Sequence, residues 1–175
     1  DEDVLEALLG NTDRPIVFAL SNPSQLCEAD PSMLLQRSHG RALVATGSPS
    51  DDVLVEGKKV PVAQGNNAFI FPGLGLGALA AGVAHIPETL ILRAAQALSS
   101  YTAHAGDGTA LFPPTSELEA VAQVVALEVM AAAADLGIAT RDVTTDEARR
   151  RALESLSQSP RYKDVFRTDA PRPRT

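Results

Sequence analysis

The apolar positions along this chain follow two rhythms. Short unbroken runs, Pro15-Ile16-Val17-Phe18-Ala19-Leu20 and Ala42-Leu43-Val44-Ala45-Thr46, are bounded by turn residues. Runs of that length, with β-branched side chains, predict strands buried on both faces. Between them Glu28 to Arg37 carries helical spacing at Met33 and Leu34, with Asp30-Pro31 near its start and Gly40 past its end. Strand, helix, strand makes a right-handed βαβ crossover the natural topology. The turns Ser21-Asn22-Pro23 and Gly47-Ser48-Pro49 then lie on one edge of a parallel sheet. In open α/β sheets that carboxyl edge is where ligands bind.

The rest of the chain reads mainly as helix. Asp1 to Leu9 places Val4, Leu5, Leu8 and Leu9 on one face, and Gly10-Asn11 stops it. Val53 to Val62 predicts a β-hairpin turning at Glu56-Gly57, with Pro61 demoting its second arm to an edge or irregular strand. Ala78 to Ala84 reads as a small-residue helix. Pro87 to about Tyr101 is amphipathic, with Leu90, Ile91, Ala94, Ala95 and Leu98 on one side. His104 to Thr109 is a polar loop and Leu111 to Pro114 an extended segment. Ser116 to Leu136 is the longest predicted helix, with Ser116 and Glu119 forming a capping box and Gly137 stopping it. Its apolar residues run nearly all round, so it should be largely buried. Thr145 to Ser157 predicts a short charged helix with Arg149, Arg150 and Arg151 as a solvated face. From Ser159 the Pro- and Arg-rich chain is expected to be irregular or to lie on a neighbour.

Composition narrows the function. With 175 residues, 45% hydrophobic and 21% charged, the chain can build a core of ordinary globular character. A net charge of −7 argues against a nucleic-acid partner. It leaves room for a nucleotide cofactor, since helix N-termini and glycine turns hold phosphate without basic side chains. No apolar run is long enough to span a membrane. The single cysteine, Cys27, excludes an internal disulfide, fits a reducing compartment such as the cytoplasm, and has no activating neighbour in the sequence. The chain begins with Asp1 inside a predicted helix and so reads as a fragment lacking an upstream part.

The candidate chemistry centres on Gln64-Gly65-Asn66-Asn67-Ala68-Phe69-Ile70-Phe71-Pro72-Gly73-Leu74-Gly75-Leu76-Gly77. A carboxamide donates and accepts hydrogen bonds and is neutral at every physiological pH. Asn66 and Asn67 therefore suit a carboxylate, hydroxyl or amide ligand, and they equally suit the cap of the following helix. Ser21 and Asn22 read either as plain turn chemistry or as ligand contacts at a strand end. Gly73-Leu74-Gly75-Leu76-Gly77-Ala78 fits a loose G-x-G-x-x-A pattern, but Pro72 interrupts the approach and no acidic residue falls at the distance, at the end of a second strand, that a dinucleotide fingerprint requires. Gly73, Gly77 and Ala81 share one helical face, and close approach to another element explains them better. His39, His85 and His104 are scattered and have no acidic partner at ligand spacing. No residue set reads as a metal site or as a general acid or base.

Phe18 to Pro23, Gly40 to Pro49 and Gln64 to Gly73 resemble, in order and spacing, the C-terminal part of malic enzymes. Leu111-Phe112-Pro113-Pro114 and the helical end of the chain are similar too. The resemblance implies an α/β fold: part of a Rossmann-like parallel sheet with flanking helices, followed by a C-terminal helical segment. It implies residues 1–137 as the C-terminal portion of the NAD(P)-binding domain and 138–175 as a helical tail. It also implies oxidative decarboxylation of malate to pyruvate and carbon dioxide, with NAD or NADP and with Mg²⁺ or Mn²⁺. By position Asn22 resembles the Asn beside nicotinamide and malate, Asn66 the malate-binding Asn, and Asn67 its neighbour in the cleft. Ser21, Asn22 and Asn66 are then the cofactor contacts, and Asn22, Asn66 and Asn67 the substrate contacts. The family's catalytic Tyr and Lys, its acidic metal ligands and its phosphate loop have no counterpart in this chain, and neither Tyr101 nor Tyr162 matches the catalytic Tyr. The chain alone is expected to be inactive, to expose a strand edge, and to work within a dimer or tetramer. The competing readings are a non-catalytic nucleotide-binding or assembly module that keeps the same cleft, and another nicotinamide-dependent dehydrogenase.

Overall fold

The computed structural model describes residues 2–22, 24–105 and 110–158. The expected loop 104–109 and the Pro- and Arg-rich segment from Ser159 lie largely or wholly outside these residues. The chain divides into two compact units, one of Asp1–Phe69 with Leu98–Val121 and one of Ile70–Ala97 with the chain from Ala122.

The first unit is the βαβ crossover. Helix α1 (Glu2–Asn11) leads to strand β1 (Ile16–Ala19), helix α2 (Pro31–Arg37) and strand β2 (Leu43–Thr46). Strands β3 (Val53–Val55) and β4 (Lys58–Val60) form the hairpin, and β5 (Ala63–Gln64) follows. The sheet order is β1-β2-β5, all parallel, with Ala19 opposite Thr46 and Thr46 opposite Gln64. Asp30 caps α2 by accepting from Ser32 N–H at 3.0 Å, and Pro31 occupies the first turn, where its missing donor costs nothing. Glu28 and Ala29 stay outside that helix. In the hairpin Glu56 and Gly57 both have positive φ, 49° and 79°, the two-residue turn whose twist matches paired strands. Leu5, Leu34, Leu35, Ala42, Val44 and Val55 make the core.

Three expectations for this unit change. Strand β1 is not buried on both faces: Ile16 and Phe18 are 55% and 51% exposed while Ala19 is buried. As the sheet's outer strand, β1 has cover for Val17 and Ala19 only. The apolar face of α1 splits in the same way, Leu5 being buried and Val4 and Leu8 exposed. His39 does have an acidic partner, because the fold brings Nδ1 within 2.8 Å of Glu56 Oε1, seventeen residues along the chain. Both side chains are exposed.

The second unit is helical. Helix α3 (Phe71–Ala81) starts earlier than the expected Ala78 and takes in Gly73, Gly75 and Gly77. Pro72 fits its first turn. An added Cβ at Gly73 would stand 2.6 Å from Val125 Cβ and 2.7 Å from the Ala122 carbonyl. At Gly77 it would meet the Ala126 carbonyl at 2.7 Å. These glycines let α3 lie directly on helix α5 (Leu118–Asp135), the close approach their spacing suggests. Val125, Ala126, Val129, Met130, Ala132 and Ala133 of α5 are buried, but Ala120 and Val124 are exposed, so the burial is not all round as the apolar pattern suggests. Helix α4 (Glu88–Ala105) buries Leu90, Ala94, Ala97 and Leu98, so its stripe lies beside the expected one, and Ile91 and Ala95 are exposed. Ser116 sits inside a 3₁₀ turn, Thr115–Glu117, ahead of α5, so it is not the α-helical cap. In α6 (Asp146–Gln158) Arg149 departs from the solvated face: its guanidinium donates to the Val143 and Thr144 carbonyls at 2.8 and 3.2 Å, with only 14% of its side chain exposed. Arg150 and Arg151 are exposed as expected.

Candidate functional site

The carboxyl ends of β1, β2 and β5 deliver three turns to one edge of the sheet. Leu20-Ser21-Asn22 follows β1, Gly47-Ser48 follows β2, and Gly65-Asn66-Asn67 follows β5. All three fit together through glycine. A Cβ on Gly47 would stand 2.1 Å from the Leu20 carbonyl oxygen and 2.9 Å from Asn22 Oδ1. A Cβ on Gly65 would stand 2.6 Å from Leu20 Cδ2. Gly47 N–H donates to the Ala19 carbonyl at 3.3 Å and Gly65 N–H to the Thr46 carbonyl at 2.9 Å, continuing the parallel ladder past the strand ends. Beneath Gly65 lies Phe112, stacked on Phe69 with ring centroids 5.8 Å apart and edge-on to Phe18 at 6.0 Å. The extended segment 111–114 thus supplies an apolar floor for the edge, a role its sequence does not announce.

Each candidate side chain has a defined partner. Ser21 donates its N–H to Glu28 Oε2 at 3.1 Å and its hydroxyl to Glu28 Oε1 at 2.7 Å. The Ser21 hydroxyl, then the backbone N–H groups of Glu28 and Ser21, hold the Glu28 carboxyl below the usual glutamate range. Asn22 Oδ1 accepts from Ser48 Oγ at 2.6 Å. Asn66 Oδ1 accepts from Ala68 N–H at 2.9 Å, and the Asn66 carbonyl accepts from Phe69 N–H at 3.1 Å. Asn66 therefore braces the 3₁₀ turn Asn67–Phe69, whereas the residue at the N-cap of α3 is Ile70. The expected capping role is real but belongs to this short turn. Asn22, Asn66 and Asn67 are exposed and Ser21 half-buried.

These bonds give the edge a polarity. The oxygens of Asn22 and Asn66 are both occupied by protein donors, and among the described residues nothing accepts from their NH₂ groups. The donors left unused on the two carboxamides are N–H, which suits carboxylate, carbonyl and hydroxyl oxygens. That donor set fits the carboxamide oxygen of a nicotinamide as well as a dicarboxylate. Beside it a cavity of about 280 Å³ is lined by Ser21, Cys27, Thr46, Ser48, Pro49 and Ser50, among others. Cys27 Sγ–H is turned to the Ala19 and Ala29 carbonyls. Tyr101 donates to Glu117 at 2.8 Å, and that bond, followed by desolvation, pushes its phenol pKa up, so it holds its proton. Among the described residues no three His, Cys, Asp or Glu side chains are grouped to hold a metal ion, and no helix is long and apolar enough to cross a membrane. Sequence reasoning missed Glu28, Ser48 and Phe112. Ser48 lies in the Gly47-Ser48-Pro49 turn already read at the sheet edge and Phe112 in the segment already read as extended, but nothing in the sequence pairs either with the site, and Glu28, seven residues from Ser21, carries no signal of its own.

Residues 1–134 match the family described as malic enzyme, NAD binding domain. The NAD-dependent malic enzyme of Sodalis glossinidius is 43% identical over 168 residues, covering 95% of this chain and 29% of that protein. That of Vibrio parahaemolyticus is 39% identical, with 95% and 30% covered. The crystal structure of malic enzyme from Pyrococcus horikoshii Ot3 matches with a TM-score of 0.62 at 25% identity, covering 86% of this chain and 30% of that one. The chain spans less than a third of the length of these relatives. Its parallel strands and flanking helices match the Rossmann-like NAD-binding domain of the crystal structure. Sheet, turns and sequence agree, and the chain belongs to the malic enzyme NAD-binding domain family.

Proposed function

We propose that this chain provides substrate and nicotinamide contacts of an NAD-dependent malic enzyme, which converts (S)-malate to pyruvate and carbon dioxide. The observation that carries the reading is the shared polarity of Asn22 and Asn66, whose oxygens are engaged and whose N–H groups have no acceptor among the described residues. Malate offers carboxylate and hydroxyl oxygens, and the nicotinamide offers a carboxamide oxygen. Neutral donors orient these groups without competing as bases. When bound, NAD would supply the hydride acceptor for malate C2. Asn22 holds nicotinamide and malate together, Asn66 binds both malate and cofactor, Asn67 adds a malate contact, and Ser21 supports the cofactor. None of them transfers a proton. The names of the relatives favour NAD over NADP.

Further parts of the reading concern the whole enzyme. Residues 1–137 complete an NAD-binding domain and 138–175 form its tail. The acid, the base and the ligands for Mg²⁺ or Mn²⁺ come from elsewhere in the enzyme. The enzyme works as a cytoplasmic dimer or tetramer, and the chain alone is inactive. The test is malate-dependent reduction of NAD and of NADP by the full-length gene product with Mn²⁺, beside Asn66→Ala. The expected result is pyruvate and carbon dioxide from the parent with NAD, and a loss of about 100-fold in kcat/KM for the folded variant, on the order of two lost charge-assisted hydrogen bonds. A folded parent inert towards malate with either cofactor overturns the reading and moves it to a binding or assembly module.

A further inference from the structure

The turn after β1 is fixed at its backbone but not, by the same bonds, at its amide. Glu28 takes both the N–H and the hydroxyl of Ser21, which pins the chain at that residue. The next side chain, Asn22, still has a terminal torsion of roughly two-fold character, so its oxygen and nitrogen can exchange places at little cost. Which of the two meets the ligand decides whether the site donates or accepts.

Ser48 biases that choice. Its Oγ lies 2.6 Å from Asn22 Oδ1, within the range of an O–H···O bond and below that of N–H···O. The hydroxyl therefore faces the oxygen and turns the NH₂ away. Ser48 is itself held: buried Thr46 donates its hydroxyl to the Ser48 carbonyl at 2.9 Å. Gly47 brings the two turns so close that no side chain fits between them. Among the described residues Ser48 is the one side chain hydrogen-bonded to the Asn22 carboxamide.

We propose that Ser48 is a positioning residue, whose hydroxyl selects the Asn22 rotamer that presents two N–H donors to the ligand. The inference rests on the reading of Asn22 as a ligand contact. Ser48 acts through Asn22 and need not touch substrate or cofactor.

The test is a two-by-two comparison in the full-length enzyme: parent, Ser48→Ala, Asn22→Ala and the double variant, with Ser48→Thr as the conservative control. Turnover, KM for malate and for NAD, and thermal midpoint are measured for each. The expected result is a fall of about tenfold in kcat/KM for Ser48→Ala, the scale of one neutral hydrogen bond, and recovery in Ser48→Thr. In the Asn22→Ala background the loss of Ser48 adds less than about twofold, because the residue it positions is gone. If Asn22→Ala is impaired while Ser48→Ala equals the parent, this inference fails and the role of Asn22 stands. If the two losses multiply, Ser48 works independently and the inference also fails. If Asn22→Ala equals the parent, the ligand role of Asn22 falls and this inference falls with it. Should Ser48→Ala not fold, Ser48→Cys keeps the shape with a weaker donor and takes its place in the same comparison.

Discussion

Single residues at the sheet edge are tuned by hydrogen bonds that depend on charge. Glu28 is exposed, yet three N–H and O–H donors favour its ionised form, the Ser21 hydroxyl most. A carboxylate whose pKa is lower folded than unfolded stabilises the fold above its unfolded pKa. That contribution is lost as pH falls through the folded value. The Ser21 clamp should therefore be intact near neutrality and loosen only in acid, as pH falls through the lowered carboxyl pKa. Glu28→Gln keeps the acceptor but not the charge, and its thermal midpoint should fall less than the parent's between about pH 7 and about pH 3. Equal acid sensitivity in both proteins would count against the clamp. Solvent screening keeps the difference small, since the carboxylate is exposed.

At the scale of elements, the glycines of α3 divide by what faces them. Gly77 abuts the Ala126 carbonyl, a backbone atom that cannot swing aside, whereas an added Cβ at Gly75 meets nothing within 4 Å. Alanine gains about 1 kcal/mol over glycine inside a helix, and overpacking costs about 1–3 kcal/mol. Gly75→Ala should raise the unfolding free energy by up to about 1 kcal/mol. Gly77→Ala should lower it by about 1–2 kcal/mol, the clash outweighing the propensity. Denaturant titration of the two variants separates them by sign, and two stabilising results would dismiss the close approach of α3 to α5. The same packing explains why α3 begins at Phe71: helix propensity alone disfavours a glycine-rich first half, and burial against Val125 and Val129 overrides it.

At the scale of the molecule, one flank of the first unit carries apolar surface that a parallel sheet ordinarily covers. Ile16, Phe18 and Leu20 are exposed on and after the outer strand β1, and Val4 and Leu8 of α1 line a neighbouring cavity of about 250 Å³ with Phe18. An open strand edge beside apolar side chains invites pairing with another chain. The isolated 175-residue chain should associate as its concentration rises, and Ile16→Lys should reduce this. Sedimentation velocity over a range of concentrations checks it. A parent that stays monomeric throughout would mean that the flank is covered from within the chain.

The sequence by itself determined the local grammar. The βαβ order, the Glu56-Gly57 turn, the Asp30-Pro31 helix start and the presence of Ser21 and Asn22 at a strand end were all legible, because periodicity and turn chemistry act over a few residues, whereas the two-residue strand β5 that places Asn66 and Asn67 at the same edge is too short to show a pattern. Tertiary structure decided everything that joins distant residues. It placed Ser48 on Asn22 across twenty-six positions, His39 on Glu56 across seventeen, and Phe112 on Phe69. It moved Arg149 from solvent to the Val143 carbonyl and left β1 covered on one side only. Hydrogen-bond polarity is a property of such pairings. A carboxamide's sequence position says that it can donate or accept, and only the partner that occupies one end determines which end remains for a ligand.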